Sequence, residues 1–185
     1  MIVSVARDAA LWFVYENALL ALASLGFGLR ALSIADNEAP PPGTEALMLP
    51  GGYPEAHAWR VLTSFKLGVW ARLAHAPVCA EGGGYFVMAQ RLVCDRECWR
   101  ALALLPAVND ASASLLALAL AVAKAATFWL KPRVWSVHKF HYAMPVSGSW
   151  SPSCFVYKWC SRLRVDGCAG HHVVGGWLHV VESLR

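Results

Sequence analysis

The chain has 185 residues, of which 57% are hydrophobic and 15% charged, and its formal net charge is +4. So large an apolar fraction can bury a substantial core, which excludes an intrinsically disordered protein. The basic residues are scattered rather than gathered with aromatic residues into a stripe, so we expect no nucleic-acid partner.

The first half of the chain alternates between predicted strands and predicted helices. Residues 1–6 are apolar and β-rich with no basic segment ahead of them, so we expect a strand in a cytoplasmic protein rather than a secretory signal. Further strands are predicted over residues 29–34, 46–49 and 77–80, and helices over residues 16–25, 55–74 and 85–92. This alternation is typical of βαβ units that build a mostly parallel sheet.

Two glycine-rich stretches follow predicted strands. Gly51 and Gly52 come just after residues 46–49, and three glycines at 82–84 follow residues 77–80. Because the carboxyl ends of parallel strands meet at one edge of a sheet, we expect the two loops to lie close together. Taken alone, the triple glycine indicates a plain turn or an anion-binding loop.

The second half of the chain is richer in short β-like runs. Runs at residues 134–137, 155–159 and 173–174 predict an antiparallel extension of the sheet. The apolar stretch 111–130 is interrupted by Lys124, and its alternating leucine and alanine residues suit a buried strand as well as a helix. A spanning helix needs about 20 unbroken apolar residues, so we expect no membrane span and a single domain over residues 1–185.

Cysteine and histidine residues offer a weak alternative of metal binding. Cys94 and Cys98 are four apart and would share one face of a helix, but no C-x-x-C pair is present, so buried structural cysteines are expected. The residues that could join them as zinc ligands are Cys168, His171 and His172. His138 and His141 have an H-x-x-H spacing, but on a strand they would point to opposite faces, so we expect no metal.

Several segments, in order along the chain, resemble motifs of one family. Residues 7–17 resemble R-D-A-A-F…Y…E-N, residues 51–55 match G-G-Y-P-E, and residues 77–84 resemble P-V-Y-A-E-C-G-G. Residues 138–142 resemble H-E-F-H-Y, and residues 176–179 resemble S-Y-L-H. This set resembles the glutamine amidotransferase domain of cobyrinic acid a,c-diamide synthases and the related cobyric acid synthases.

The resemblance implies a class I glutamine amidotransferase-like α/β fold, a three-layer sandwich with a mostly parallel sheet and an antiparallel extension. It implies a domain linked to cobalamin, or another tetrapyrrole, that binds glutamine or a related small ligand. The sequence has no G-x-x-x-x-G-K-[ST] phosphate loop. We therefore expect ATP and Mg²⁺ only on a separate synthetase subunit, and no cofactor in this domain.

The resemblance also assigns roles to individual residues. His179 takes the place of the catalytic histidine, which moves the proton of the nucleophile. Backbone N–H groups of two tight loops stabilise the tetrahedral oxyanion in such enzymes. The positions that match the oxyanion and substrate loops are Gly51, Gly52, Tyr53 and Gly83. The remaining matched motif positions are Glu81, His138, His141 and Tyr142.

The nucleophile position of the family motif is occupied by Gly82. Glycine has no side chain, so no thioester intermediate can form there. Loss of the nucleophile from a comparable protease triad lowers turnover about a million-fold. We therefore expect glutamine hydrolysis by the family route to be lost. Lys139 replaces the family's glutamate, a departure that argues against glutamine binding as well.

Two other functions remain open on the sequence. The chain could be an active glutaminase that uses another nucleophile, for which Cys79 is the nearest cysteine. We expect Cys79 to be buried in its strand about 10 Å from the elbow, where a thiol is inert. Alternatively, the chain could be a module that binds a small amide or carboxylate without catalysis.

Overall fold

The computed structural model describes residues 1–112, 117–125, 133–141, 144–146, 155–159, 162–166, 168–169, 173–176 and 178–183. The elements of its first part are β1 (Ile2–Ala6), α1 (Glu16–Ser24), β2 (Gly28–Leu32), β3 (Thr44–Leu49), a 3₁₀ turn (Pro54–His57), α2 (Ala58–Val61), α3 (Phe65–Leu73), β4 (Val78–Glu81) and α4 (Gly83–Met88). The strands that follow are β5 (Arg91–Cys94), β6 (Glu97–Arg100), β7 (Val108–Asp110), β8 (Ala117–Ala125), β9 (Arg133–His141), β10 (Met144–Pro145), β11 (Phe155–Trp159), β12 (Arg162–Asp166), β13 (Cys168–Ala169), β14 (Val173–Gly176) and β15 (Leu178–Ser183).

The central sheet has the strand order β13-β14-β4-β3-β1-β2. Its pairings are parallel from β2 through β14, and β13 adds an antiparallel edge. The chain passes from β1 to β2 on one side and then returns to β3 on the other. This reversal places a switch point at the carboxyl ends of β1 and β3, where open α/β sheets bind ligands. The predicted mostly parallel α/β fold is therefore confirmed.

Helix α4 covers one face of this sheet. Leu47 and Leu49 of β3 and Ala80 of β4 are buried on that face, because alternate residues of a strand point the same way. Every residue of α4 is buried. Tyr85, at 1% exposed, packs against Gly175 of β14, where an added Cβ would lie 2.8 Å from the tyrosine ring. The core therefore lies directly beneath the elbow that joins β4 to α4.

The runs predicted at 134–137 and 155–159 lie in antiparallel strands, as expected, but these strands form a sheet of their own. The run at 173–174 lies in β14, which pairs in parallel with β4, so the antiparallel pairing expected to join it to the sheet is wrong; its antiparallel neighbour is the edge strand β13. One mixed sheet has the order β10-β7-β5-β6, and an antiparallel sheet has the order β12-β11-β8-β9-β15. The apolar stretch that suited either a strand or a helix contains β8, a strand. Within the described parts of the chain, no helix is long and apolar enough to cross a membrane.

The single long helix predicted over residues 55–74 is wrong, because the structure divides this segment into shorter elements. The structure has a 3₁₀ turn, then α2, and a new helix α3 that begins after Ser64. Ser64 is fully buried, and the Asn37 side-chain oxygen accepts the Lys66 N–H at 3.2 Å. The Asn37 side chain, from a distant loop, thus supplies a hydrogen-bond acceptor at the start of α3. A short polar residue such as Ser64 favours the interruption between α2 and α3.

The helix predicted over residues 85–92 is also corrected. Helix α4 ends at Met88, and residues 91–94 form strand β5, whose hairpin with β6 places Val93 opposite Cys98. The helix ends early because a distant segment satisfies its last carbonyls: Leu102 and Leu104 donate to Val87 and Met88 at 3.1 and 2.9 Å. Cys94 and Cys98 therefore do not share a helix face. Cys94 is only partly buried and Cys98 is exposed, contrary to the buried pair expected.

Candidate functional site

Three loops meet at the carboxyl edge of the central sheet. They follow β1, β3 and β4, and they contain Asp8, the Gly51-Gly52 pair and Gly82 respectively. The Gly84 N–H donates to the Pro50 carbonyl at 2.9 Å, and a Cβ on Gly83 would lie 2.7 Å from the Gly52 carbonyl oxygen. The expected proximity of the two glycine loops is therefore confirmed.

The Gly51-Gly52 loop is held by the segment that follows β1. Phe13 and Gly51 exchange two backbone hydrogen bonds of 3.1 Å, and the Tyr53 N–H donates to Ala10 at 2.9 Å. Gly52 has a φ of +150°, and a Cβ there would overlap the Ala10 carbonyl oxygen and lie 2.9 Å from its carbon. Only glycine fits this close approach of two backbones.

Asp8 fixes the segment that supports this loop. One of its carboxylate oxygens accepts the N–H groups of Ala10 and Leu11 at 2.8 and 2.9 Å, and the other accepts the Ala35 N–H at 2.9 Å. Asp8 therefore ties the end of β1 to the loop after β2. The sequence motif contained Asp8, but only the fold shows this positioning role; the local signal is an aspartate that bonds N–H groups two and three residues ahead.

The elbow between β4 and α4 turns at Gly82. Its backbone has a φ of +50° and a ψ of −112°, and its N–H donates to the Gly176 carbonyl at 2.9 Å. The Tyr85 N–H returns to the Gly82 carbonyl at 3.1 Å. The predicted strand-to-helix turn is thus present, with a conformation that side-chain-bearing residues rarely adopt.

Two backbone N–H groups near the elbow are available to a ligand. Among the described residues, nothing accepts the N–H of Gly52 or of Gly83. The two glycines are in contact across the loops. Buried or half-buried N–H groups are normally paired, so two neighbouring ones without an acceptor suit a carbonyl or oxyanion.

Aromatic side chains line the same edge. Trp12 is 53% exposed and lies 6.0 Å from Phe13 and 6.3 Å from Tyr53, measured between ring centroids. Tyr15 lies 5.3 Å from Phe13. Burial, followed by the nearby carboxylate of Glu81, raises the pKa of Tyr15. Glu81 is itself buried at the end of β4, so a phenol and a carboxylate stand beside the elbow.

Glu55, the last residue of the motif at 51–55, adds a half-buried carboxylate to which the sequence assigned no role. Its Oε2 atom is buried and has no hydrogen-bond partner among the described residues. Burial raises the pKa of the side chain despite an opposing backbone hydrogen bond. It lines a cavity of about 300 Å³ together with Trp59, Cys94 and Trp99. Burial, and then the neighbouring carboxylates, raise the pKa of the Cys94 thiol, which makes Cys94 a poor nucleophile.

The expected burial of Cys79 is wrong. Val78 and Ala80 are buried against the core, whereas Cys79 between them is exposed. Alternation along the strand places it on the face opposite that covered by α4. Because Cys79 is exposed, burial does not make its thiol inert. Its position three residues before Gly82 still keeps it away from the elbow.

The histidines lie on strands of the antiparallel sheet. Strands β9 and β15 pair with His138 opposite His179, and His141 ends β9. The structure describes their backbone only, and Tyr142 lies outside the described residues. The placement of the His179 side chain relative to Gly82 is therefore not described. In the part of the chain whose side chains are described, no cluster of histidine, cysteine or carboxylate side chains could hold a metal ion.

The sequence of this chain is similar to the sequences of known enzymes. No protein-family model matches the chain. It is 31% identical over 187 residues to the hydrogenobyrinate a,c-diamide synthase of Rhizobium meliloti, matching 97% of this chain and 43% of that protein. It is 42% identical over 93 residues to the enzyme of the same name from Rhodobacter capsulatus, matching 49% of this chain and 21% of that protein. The chain therefore spans less than half the length of these relatives.

Solved structures give the fold. The structure of PurLQS from Thermotoga maritima matches with a TM-score of 0.69 and 15% identity, covering 96% of this chain and 86% of that one. A structure named as a glutamine amidotransferase matches with a TM-score of 0.61 and 16% identity, covering 96% of this chain and 89% of that one. By sequence the chain resembles the cobyrinate a,c-diamide synthase family over nearly its whole length, and by fold it is a class I glutamine amidotransferase-like domain.

Proposed function

We propose that this chain is a glutamine amidotransferase-type domain of cobalamin, or related tetrapyrrole, biosynthesis that does not hydrolyse glutamine by the cysteine route. The observation that carries the proposal is Gly82, which occupies the elbow between β4 and α4 where a nucleophile would stand. The names of the relatives support the pathway. Because glycine offers no atom to attack a carboxamide, the acyl-enzyme step has no nucleophile.

The rest of the pocket supports retention of a ligand site. The unbonded N–H groups of Gly52 and Gly83 suit the carbonyl oxygen of a small amide or carboxylate, with Tyr53 at the rim. We assign His179 to the position that would have moved the nucleophile's proton. The domain would then serve as a non-hydrolysing partner of a separate synthetase subunit, which would carry ATP and Mg²⁺ and take free ammonia.

The test is a glutaminase assay on the purified protein. We expect no glutamate release above a boiled control, because the thioester cannot form, while glutamine raises the melting temperature. Glutamate release at ordinary amidotransferase rates would contradict the proposal. In that case, labelling by an electrophilic glutamine analogue, followed by peptide mass spectrometry, would identify the acting side chain, with Cys79 as the first candidate.

Two variants at the elbow sharpen the test. Gly82→Cys is expected to gain labelling at position 82 by the same analogue, because the turn and the two N–H groups already surround it. Gly82→Ala is the matched control, since it adds the same backbone strain, about 1–3 kcal/mol, without a thiol. If the cysteine variant folds and stays as unreactive as an ordinary thiol, the pocket no longer positions a ligand, and the binding role is wrong.

A further inference from the structure

A second concave site lies between helix α3 and the β5–β6 hairpin. It has a volume of about 510 Å³ and shares no lining residue with the candidate site at the elbow. Helix α3 contributes Phe65, Gly68, Val69 and Arg72, whose spacing of three and four residues defines one helical face. We call this site the α3 groove; its size falls within the range of small-molecule sites.

The opposite wall of the α3 groove carries two arginines in register. Arg91 of β5 and Arg100 of β6 are directly paired in the antiparallel hairpin, and both line the groove. Side chains of such a pair leave the strands on the same face, with Cβ atoms about 5 Å apart. Two like charges held opposite each other destabilise a hairpin unless an anion lies between or above them.

A third arginine is held by backbone contacts. The Arg72 guanidinium donates to the Gly68 carbonyl at 2.9 Å and also to the Leu102 carbonyl. These bonds fix the side chain without neutralising its charge. A guanidinium has five N–H donors, so three remain for a partner in the groove.

Among the described residues, no carboxylate balances these charges. The lining of the α3 groove contains no aspartate or glutamate, and in the described portion of the chain none of the three arginines forms a salt bridge. The groove also has an apolar part, since Phe65 is 73% exposed and Val69 37%. Of the described residues, none accepts the Phe65 N–H at the start of α3.

We propose that the α3 groove binds a small organic anion with at least two carboxylate or phosphate groups. Planar guanidinium groups pair with both kinds of anion in a two-bond geometry, so Arg91 and Arg100 would share one anionic group and Arg72 would take another. The hydrocarbon or ring portion of the ligand would cover Phe65 and Val69. Its concave shape and the lack of balancing acids in the described part of the chain distinguish this groove from an ordinary solvated basic surface.

The test uses citrate and pyrophosphate as probes of the two anion classes. Thermal unfolding and calorimetric titration of the full chain are run with each probe and with sodium chloride at the same ionic strength. We expect at least one probe to raise the melting temperature beyond the chloride effect. If neither does, the proposal is overturned; the probe with the larger effect identifies carboxylate or phosphate as the preferred group.

Arginine variants locate the binding. Arg91→Gln and Arg100→Gln are each expected to weaken binding of the effective probe at least about tenfold, because each removes a charge-assisted pair. Without a probe, neither variant should melt below the wild type, since each relieves the cross-strand repulsion. Arg30→Gln is the control, because Arg30 is also exposed on a strand but lies outside the groove.

Two outcomes would contradict this placement. Equal weakening in the Arg30 variant would show a general charge effect, and unchanged binding in either groove variant would show that the arginine pair does not hold the anion. The readout is binding and melting, so it is independent of whether the elbow hydrolyses glutamine.

Discussion

At position 82 the backbone combines a φ of +50° with a ψ of −112°. A residue with a Cβ is strained in this region, at a cost of roughly 1–3 kcal/mol. Enzymes with a nucleophile at such an elbow carry this strain. Glycine, which has no Cβ, adopts this conformation without that strain. The residue found at this turn is therefore one that its backbone conformation favours.

Glu55 gives a pH-dependent prediction at the same scale. Because its folded-state pKa is raised by burial, its contribution to stability is fully present below the unfolded pKa and is lost as pH rises through the folded value. Glu55→Gln should therefore be more stable than the wild type at pH 7.5. The difference should shrink at about pH 4, where the carboxyl group gains its proton in both states.

Denaturant unfolding at the two pH values measures this effect. Glu16→Gln, which removes an exposed carboxylate instead, is the control for loss of one negative charge. An equal stability difference at both pH values, or a less stable Glu55 variant at pH 7.5, would show that burial of the charged carboxylate is not the cause.

At the scale of elements, the contact between α4 and β3 positions the elbow. A Cβ on Gly84 would lie 2.6 Å from the Leu49 Cβ and would overlap the Leu49 carbonyl oxygen. Inside a helix, alanine is normally favoured over glycine by about 1 kcal/mol. Here the overlap with backbone outweighs that gain, because neither element can shift without disturbing the loop bond from Gly84 to Pro50.

We therefore expect Gly84→Ala to lower the free energy of unfolding by about 3 kcal/mol. Urea unfolding followed by circular dichroism measures the change. Gly28→Ala on β2 is the matched control, because the nearest atom to its added Cβ lies 3.8 Å away, and its stability should change by less than about 0.5 kcal/mol. A Gly84 variant as stable as this control would mean that α4 and β3 are not in close contact.

At the scale of the whole molecule, the two halves of the chain are interleaved. Strand β14 pairs in parallel with β4, and Val173 belongs to the same buried cluster as Leu47 and Tyr85. The Gly82 N–H also bonds to Gly176 across this junction. The core of the first half is therefore completed by residues from near the end of the chain.

This interleaving predicts cooperative unfolding of residues 1–185 as one domain. Differential scanning calorimetry should give one transition, with equal calorimetric and van't Hoff enthalpies. The equality matters because separately stable halves would give a van't Hoff enthalpy below the calorimetric one. Two resolved transitions would instead divide the chain into independent units.

Local patterns in the sequence determined strands β1 to β4 of the central sheet, the two glycine loops and their meeting at one edge. They could do so because apolar runs of this spacing form parallel strands, whose carboxyl ends share an edge. They also located Gly82 at the turn. These features depend on neighbours in sequence and on one general rule of sheet topology.

Tertiary contacts decided the rest. Helix α4 ends at Met88 because residues 102 and 104 donate to its last carbonyls, and the helix predicted over 55–74 is interrupted where Asn37 reaches the start of α3. The exposure of Cys79, the buried oxygen of Glu55 and the convergence of Arg72 with Arg91 and Arg100 likewise depend on residues distant in sequence. No local pattern encodes them, because burial and charge balance are properties of the packed chain.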